Sequence, residues 1–180
     1  MSLGLIVAVF LAFPVQEMIP PIHSFLGARV LLVPALALYA GLALPFPAMV
    51  VVCSVAGFLS DLACLHVDAG QVEIGLGWSI VYFVIVGSLA HGFQPAFLRG
   101  HWWIHIPLAV VGTSLYLALQ FAMISFRREG FVFGEVTMWR ILGGGLLAGV
   151  ASPLIHLVAW RVSSFFDNDA PVREASLTRP

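Results

Sequence analysis

Apolar residues run along the chain in long blocks separated by short polar or turn-forming stretches, and six such blocks can be drawn. They are Leu3 to Ile19, Arg29 to Leu44, Pro47 to Leu65, Ile74 to Phe93, Trp102 to Phe126 and Met138 to Val162. Crossing a bilayer as a helix takes about 20 mostly apolar residues. The pattern therefore predicts an all-α integral membrane protein, a bundle of about six transmembrane helices over residues 1–166. The second block is short and contains Pro34, and the "LPFP" after it is nearly as apolar as the blocks it joins, so a tight re-entry or a fused hairpin is expected there. The opening "MSLGLIVAVFLAFPVQE" has neither a basic leader nor an A-x-A cleavage site and reads as a retained helix. Residues 167–180, "DNDAPVREASLTRP", read as a disordered polar tail.

Composition sharpens this picture. Of 180 residues, 61% are hydrophobic and 9% charged, and the mean hydropathy is +1.02. Soluble domains carry about 25% charged residues. The net charge of -1 argues against a nucleic-acid partner, which calls for a basic face. The basic residues are all arginines, scattered singly except for Arg127 and Arg128, so there is no polybasic lipid-binding patch. Their distribution weakly favours cytoplasmic termini, with Arg99, Arg161, Arg173 and Arg179 inside. Cys53 and Cys64 lie on one predicted helix about 16 Å apart and cannot pair with each other.

With six spans, Glu17, Arg29, Asp61, Asp68, Glu73, Arg127, Arg128, Glu129 and Arg140 all fall on one side of the bundle. Asp68, Glu73, Arg127, Arg128 and Glu129 form the candidate partner-facing surface. Within the third block, Ser54, Gly57, Asp61, Cys64 and Asp68 recur at helical spacing as one stripe of small or polar residues, suited to the bundle interior. Asp61 stands about 6 Å inside the end of its span. Arg140 enters the sixth block at a similar depth, so Asp61 is expected either to pair with Arg140 or to snorkel or cap a neighbouring helix start. Gly145 and Gly149, with Ser152 a turn on, form a helix-packing face.

"HWWIH" sets His101 and His105 at a metal-ligand spacing, but two histidines without a helical zinc motif's glutamate are not a site. An interfacial belt with polar tips in headgroup water is the simpler reading. His156 is expected to be a hydrogen-bonded interior histidine. Neither a nucleophilic triad nor a phosphate-binding glycine loop occurs, so the expectation is a non-enzyme with no metal and no cofactor.

The run from "GFLSDL" through a Gly70-containing linker into "GLGWSIVYFVIVGSL" resembles the rod shape-determining protein MreD family, with Gly57, Asp61, Leu62, Gly70, Gly75 and Tyr82 in matching places. "RVLLVPALALYAGLALP" is similar to the family's second helix, with Val30 and Leu31 where the family usually has Pro-Asp after the arginine. The resemblance implies a non-enzymatic, multi-pass component of the bacterial inner membrane that scaffolds peptidoglycan synthesis during cell elongation. Its partner would be the single-span protein MreC, and through it MreB, RodA and a class B penicillin-binding protein. The family is also similar in fold to the S components of energy-coupling-factor vitamin transporters. That leaves an alternative, a membrane-embedded small-molecule binder in which Asp61, His66 and the first outer loop line a pocket. A binder needs a cavity with convergent polar groups, and a scaffold needs exposed contact surface.

Overall fold

The computed structural model describes residues 2–22, 27–63, 67–68, 71–72, 77–127 and 134–167. Among these, the helices are α1 (Ser2–Met18), α2 (Leu32–Ala43), α3 (Phe46–Ala63), α4 (Trp78–His91), α5 (Gln94–Leu98), α6 (His105–Arg127) and α7 (Glu135–Asp167). A 3-10 turn, Trp102–Ile104, leads into α6. The only ladder in the described residues is a minimal antiparallel hairpin of β1 (Val67–Asp68) and β2 (Gln71–Val72), with Val67 opposite Val72. Each predicted block holds one apolar helix. Three of these, Phe46–Ala63, His105–Phe126 and Glu135–Val158, are long and apolar enough to cross a membrane, and Gly4–Met18, Leu32–Ala43 and Trp78–His91 are shorter.

Several boundaries differ from those predicted, each for a local reason. The second helix starts at Leu32 because Leu31 is extended, and Pro34 falls in its first turn, where a missing N–H costs no intrahelical bond. The connection from α2 to α3 is only Leu44 and Pro45, which makes "LPFP" the tight hairpin expected there. Helix α4 begins after Gly77, whose φ of 101° is left-handed. Helix α7 is longer than its predicted block at both ends. It follows Gly134 and continues to Asp167, because polarity alone does not stop a helix and the next proline is Pro171.

Helix α2 is the centre of the molecule. Val33 to Leu42 are all buried, and the helix touches α1, α3, α4, α5, α6 and α7. A helix that is apolar all round belongs inside other helices, which is where a segment only about 18 Å long is held. The outer surface is also apolar. Val81, Ile85 and Leu89 form an exposed stripe on α4, and Leu146, Val150, Leu154 and Leu157 form another on α7. Val150 is 73% exposed. Water disfavours continuous stripes of this kind, whereas hydrocarbon is a matching solvent for them.

Candidate functional site

The first four N–H groups of a helix have no partner within it, and neither α2 nor α4 begins with a capping side chain of its own. In both cases the preceding long helix supplies the cap. Gln16, near the end of α1, accepts through Oε1 from the amides of Leu32 at 2.9 Å and Val33 at 3.1 Å. Asp61, in the equivalent place on α3, accepts through Oδ2 from the Gly77 amide at 2.6 Å and through Oδ1 from the Ser79 amide at 3.1 Å. Asp61 is 3% exposed, and its carboxylate faces the positive end of the α4 dipole.

Of the two placements considered for Asp61, the structure takes the helix cap. Among the described residues no ion pair joins Asp61 to Arg140: the carboxylate faces the backbone amides of α4, and the Arg140 guanidinium lies beside Gly27. Among the described residues an ion pair joins Glu17 and Arg29 at 3.9 Å, in an exposed setting that stabilises little.

Gly57, one turn before Asp61, makes the joint possible. A Cβ at this position would run into the backbone of Ile80, so α3 and the first turn of α4 touch without side chains between them. Gly57→Ala is expected to cost about 1 to 3 kcal/mol, since a backbone neighbour cannot rotate away. Thermal unfolding in detergent measures the loss. Gly145 and Gly149 do the same between α7 and α6: side chains there would meet Ser114 and Val110.

From the capped start of α4 a chain of polar contacts leads into the bundle. The Ser79 and Tyr116 hydroxyls are 2.9 Å apart, and Gln120 Nε2 donates to the Tyr116 oxygen at 2.7 Å. One turn along α4, the Tyr82 hydroxyl donates to the Gly112 carbonyl at 2.6 Å, tying α4 to α6. Tyr116 and Gln120 form part of the wall of a cavity of about 820 Å³. Gln16, Glu17 and Arg29 approach it from the α1–α2 side, Ser60 and Ala63 from the end of α3, and Arg140 from α7. Pro21, Gly27, Leu31, Pro34 and Leu117 supply less polar surface. Asp61 does not line the cavity. It fixes the helix start whose Ser79 holds Tyr116 in the wall.

A second buried polar junction lies deeper in the bundle. His105, 1% exposed, places Nε2 3.1 Å from the Ala35 carbonyl and Nδ1 2.6 Å from the Ser152 hydroxyl. A carbonyl can only accept, so Nε2 carries the proton and, in the neutral ring, Nδ1 accepts from Ser152. One side chain thus joins α2, α6 and α7. Tyr39 packs edge-on against His105 with ring centroids 5.3 Å apart, and also against Phe97 and His156. This corrects the interfacial-belt expectation for His105. His101 is exposed, and the two histidines do not share a helix face because α6 begins only at His105. Trp103 is 56% exposed. Among the described residues no cluster of three or more His, Cys, Asp or Glu side chains has a metal-holding arrangement.

Cys53 is buried against α2, with its Sγ 3.6 Å from the Ala37 carbonyl. Glu73, Arg128, Glu129, Cys64 and His66 lie outside the described residues. Asp68 is placed on β1 and Arg127 at the end of α6 by their backbones alone. Comparison with protein-family models, curated proteins and solved structures returned no match.

Proposed function

We propose that the chain is a six-span subunit of the bacterial cell-elongation complex, seated in the inner membrane, where it scaffolds peptidoglycan synthesis with an MreC-like single-span partner and catalyses nothing itself. Support comes from the resemblance to the MreD family together with what its motif residues do. Gly57, Asp61 and Tyr82 act as one unit: the glycine admits α4, the carboxylate caps it, and the tyrosine ties it to α6. A motif that builds a rigid helical joint and presents no reacting group suits a subunit that works by holding partners. The charged side with Asp68, Glu73, Arg127, Arg128 and Glu129 is the proposed docking surface. MreB, RodA and the class B penicillin-binding protein would be reached through the MreC-like protein.

Deleting the gene from its own genome tests the reading. Rod-shaped cells are expected to become round, with recovery when the chain is restored from a plasmid. Rods that persist unchanged without the chain would count against it.

One observation favours the second reading, a small-molecule binder of the S component type. The cavity gathers several polar groups and a tyrosine, as a binding pocket does. Its lining overlaps the pocket expected from the sequence at the first outer loop, through Pro21 and Gly27, but Gln16, Tyr116, Gln120 and Arg140 are there and Asp61 is not, while His66 lies outside the described residues. A chain that purifies with an ATPase pair would establish this second reading in place of the first.

A further inference from the structure

Among the described residues, the cavity lining carries more positive than negative charge. A Cβ at Gly27 would stand 3.6 Å from Nε and 3.7 Å from Nη2 of Arg140, so that guanidinium lies along the chain just before Arg29. One turn further on α7, a Cβ at Gly144 would lie 3.7 Å from the Arg29 carbonyl. The segment carrying Arg29 therefore runs along the same face of α7 as Arg140. Both arginines line the cavity, with one carboxylate, Glu17, lining it too. That carboxylate is held loosely by Arg29 at 3.9 Å, and Arg140 has no ion-pair partner among the described residues. Among the described lining residues the balance is one net positive charge.

Two planar guanidinium forks can be satisfied together by a tetrahedral phosphate, whose terminal oxygens point in different directions, whereas a planar carboxylate aims both of its oxygens at one fork. The same cavity also has apolar lining at Leu31, Pro34 and Leu117. The volume of about 820 Å³ suits a molecule well beyond the size of a free ion.

We propose that this cavity binds a phosphate-bearing amphiphile, its phosphate on Arg29 and Arg140 and its apolar body against Leu31, Pro34 and Leu117. The site goes beyond the scaffold reading and gives the binder reading a ligand class. A phospholipid headgroup and a soluble phosphate ester share the recognised chemistry.

The test uses the full chain in a neutral maltoside detergent, titrated calorimetrically with dihexanoyl phosphatidylglycerol, n-hexyl phosphate and dihexanoyl phosphatidylcholine. At least one of the two anionic probes is expected to bind, and to bind more tightly than the zwitterionic lipid. Preference for phosphatidylglycerol identifies a lipid source, and preference for hexyl phosphate a soluble one. Arg140→Gln, at an exposed position, is expected to weaken binding by roughly tenfold or more. Ala63→Phe, which puts a bulky ring into the cavity lining without changing charge, is expected to weaken binding as well. Binding of neither anionic probe, equal binding of phosphatidylcholine, or unchanged affinity in both variants would overturn the proposal. Each of these outcomes can be read while association with an MreC-like partner stays intact, so failure here is separable from failure of the scaffold reading.

Discussion

Asp61→Ala is expected to destabilise the protein by about 2 to 4 kcal/mol, more than an ordinary helix cap, because two buried or half-buried amides lose a charged acceptor at once. The change removes the acceptor for Gly77 and Ser79, leaves the start of α4 uncapped in an apolar setting, and loosens Ser79 from Tyr116. Asp61→Asn keeps the shape and one carbonyl acceptor but turns an N–H donor toward an amide, so an intermediate loss is expected. Arg140→Gln should be close to neutral for stability, and the Asp61→Ala, Arg140→Gln double variant should show additive losses within about 0.5 kcal/mol, as unconnected sites do. Unfolding of all four variants in the same detergent provides the comparison. A coupling above 1 kcal/mol would restore the ion pair that the structure replaces with a cap.

The second large effect is expected at His105. Its replacement by alanine leaves a hollow beside Tyr39 and strands the Ser152 hydroxyl and the Ala35 carbonyl, a combined loss of about 3 to 5 kcal/mol. The asymmetry of buried hydrogen bonds gives a sharper check. His105→Phe preserves an aromatic ring against Tyr39 but leaves Ser152 without its acceptor, whereas His105→Phe with Ser152→Ala removes both polar partners. The double variant should therefore be more stable than His105→Phe alone. If removing Ser152 adds to the loss in full, the two side chains are not bonded as described.

The class of fold and the helix-packing residues were legible in the sequence because they depend on local pattern. Long apolar blocks have few alternatives to membrane helices, and small residues one turn apart, as at Gly145 and Gly149, mark a packed face wherever the partner lies. What the face meets is a tertiary fact. The stripe ending in Ser152 was visible, yet nothing in the local sequence says that His105, 47 residues earlier, sits opposite its hydroxyl. "HWWIH" pointed toward the interface because two tryptophans dominate it, while a glycine and a 3-10 turn place the helix start at the second histidine and turn that ring inward.

The caps show the same division. A charge inside an apolar run required a partner, and both an arginine at equal depth and a helix start were open to Asp61. The choice depended on the position of Gly77 relative to the end of α3, which the intervening residues do not reveal. Gln16 is silent in the sequence for the related reason that a neutral amide near a helix end raises no electrostatic question. Its role becomes visible only beside Asp61, where two successive helical hairpins use the same device. The cavity was the least legible feature of all. Its lining comes from α1, α2, α3, α6, α7 and the segment between α1 and α2, and no single stretch of sequence contains the pattern.

The claim that a rigid, Asp61-capped joint serves a scaffolding subunit is tested most directly by co-expressing the tagged chain with the MreC-like protein of the same genome. The complex is purified in detergent and its composition measured by native mass spectrometry. The account predicts a defined complex with the single-span partner that persists in Arg140→Gln and is lost when the joint is disrupted by Gly57→Leu. Recovery of the chain without that partner, bound instead to an ATPase pair, would contradict it.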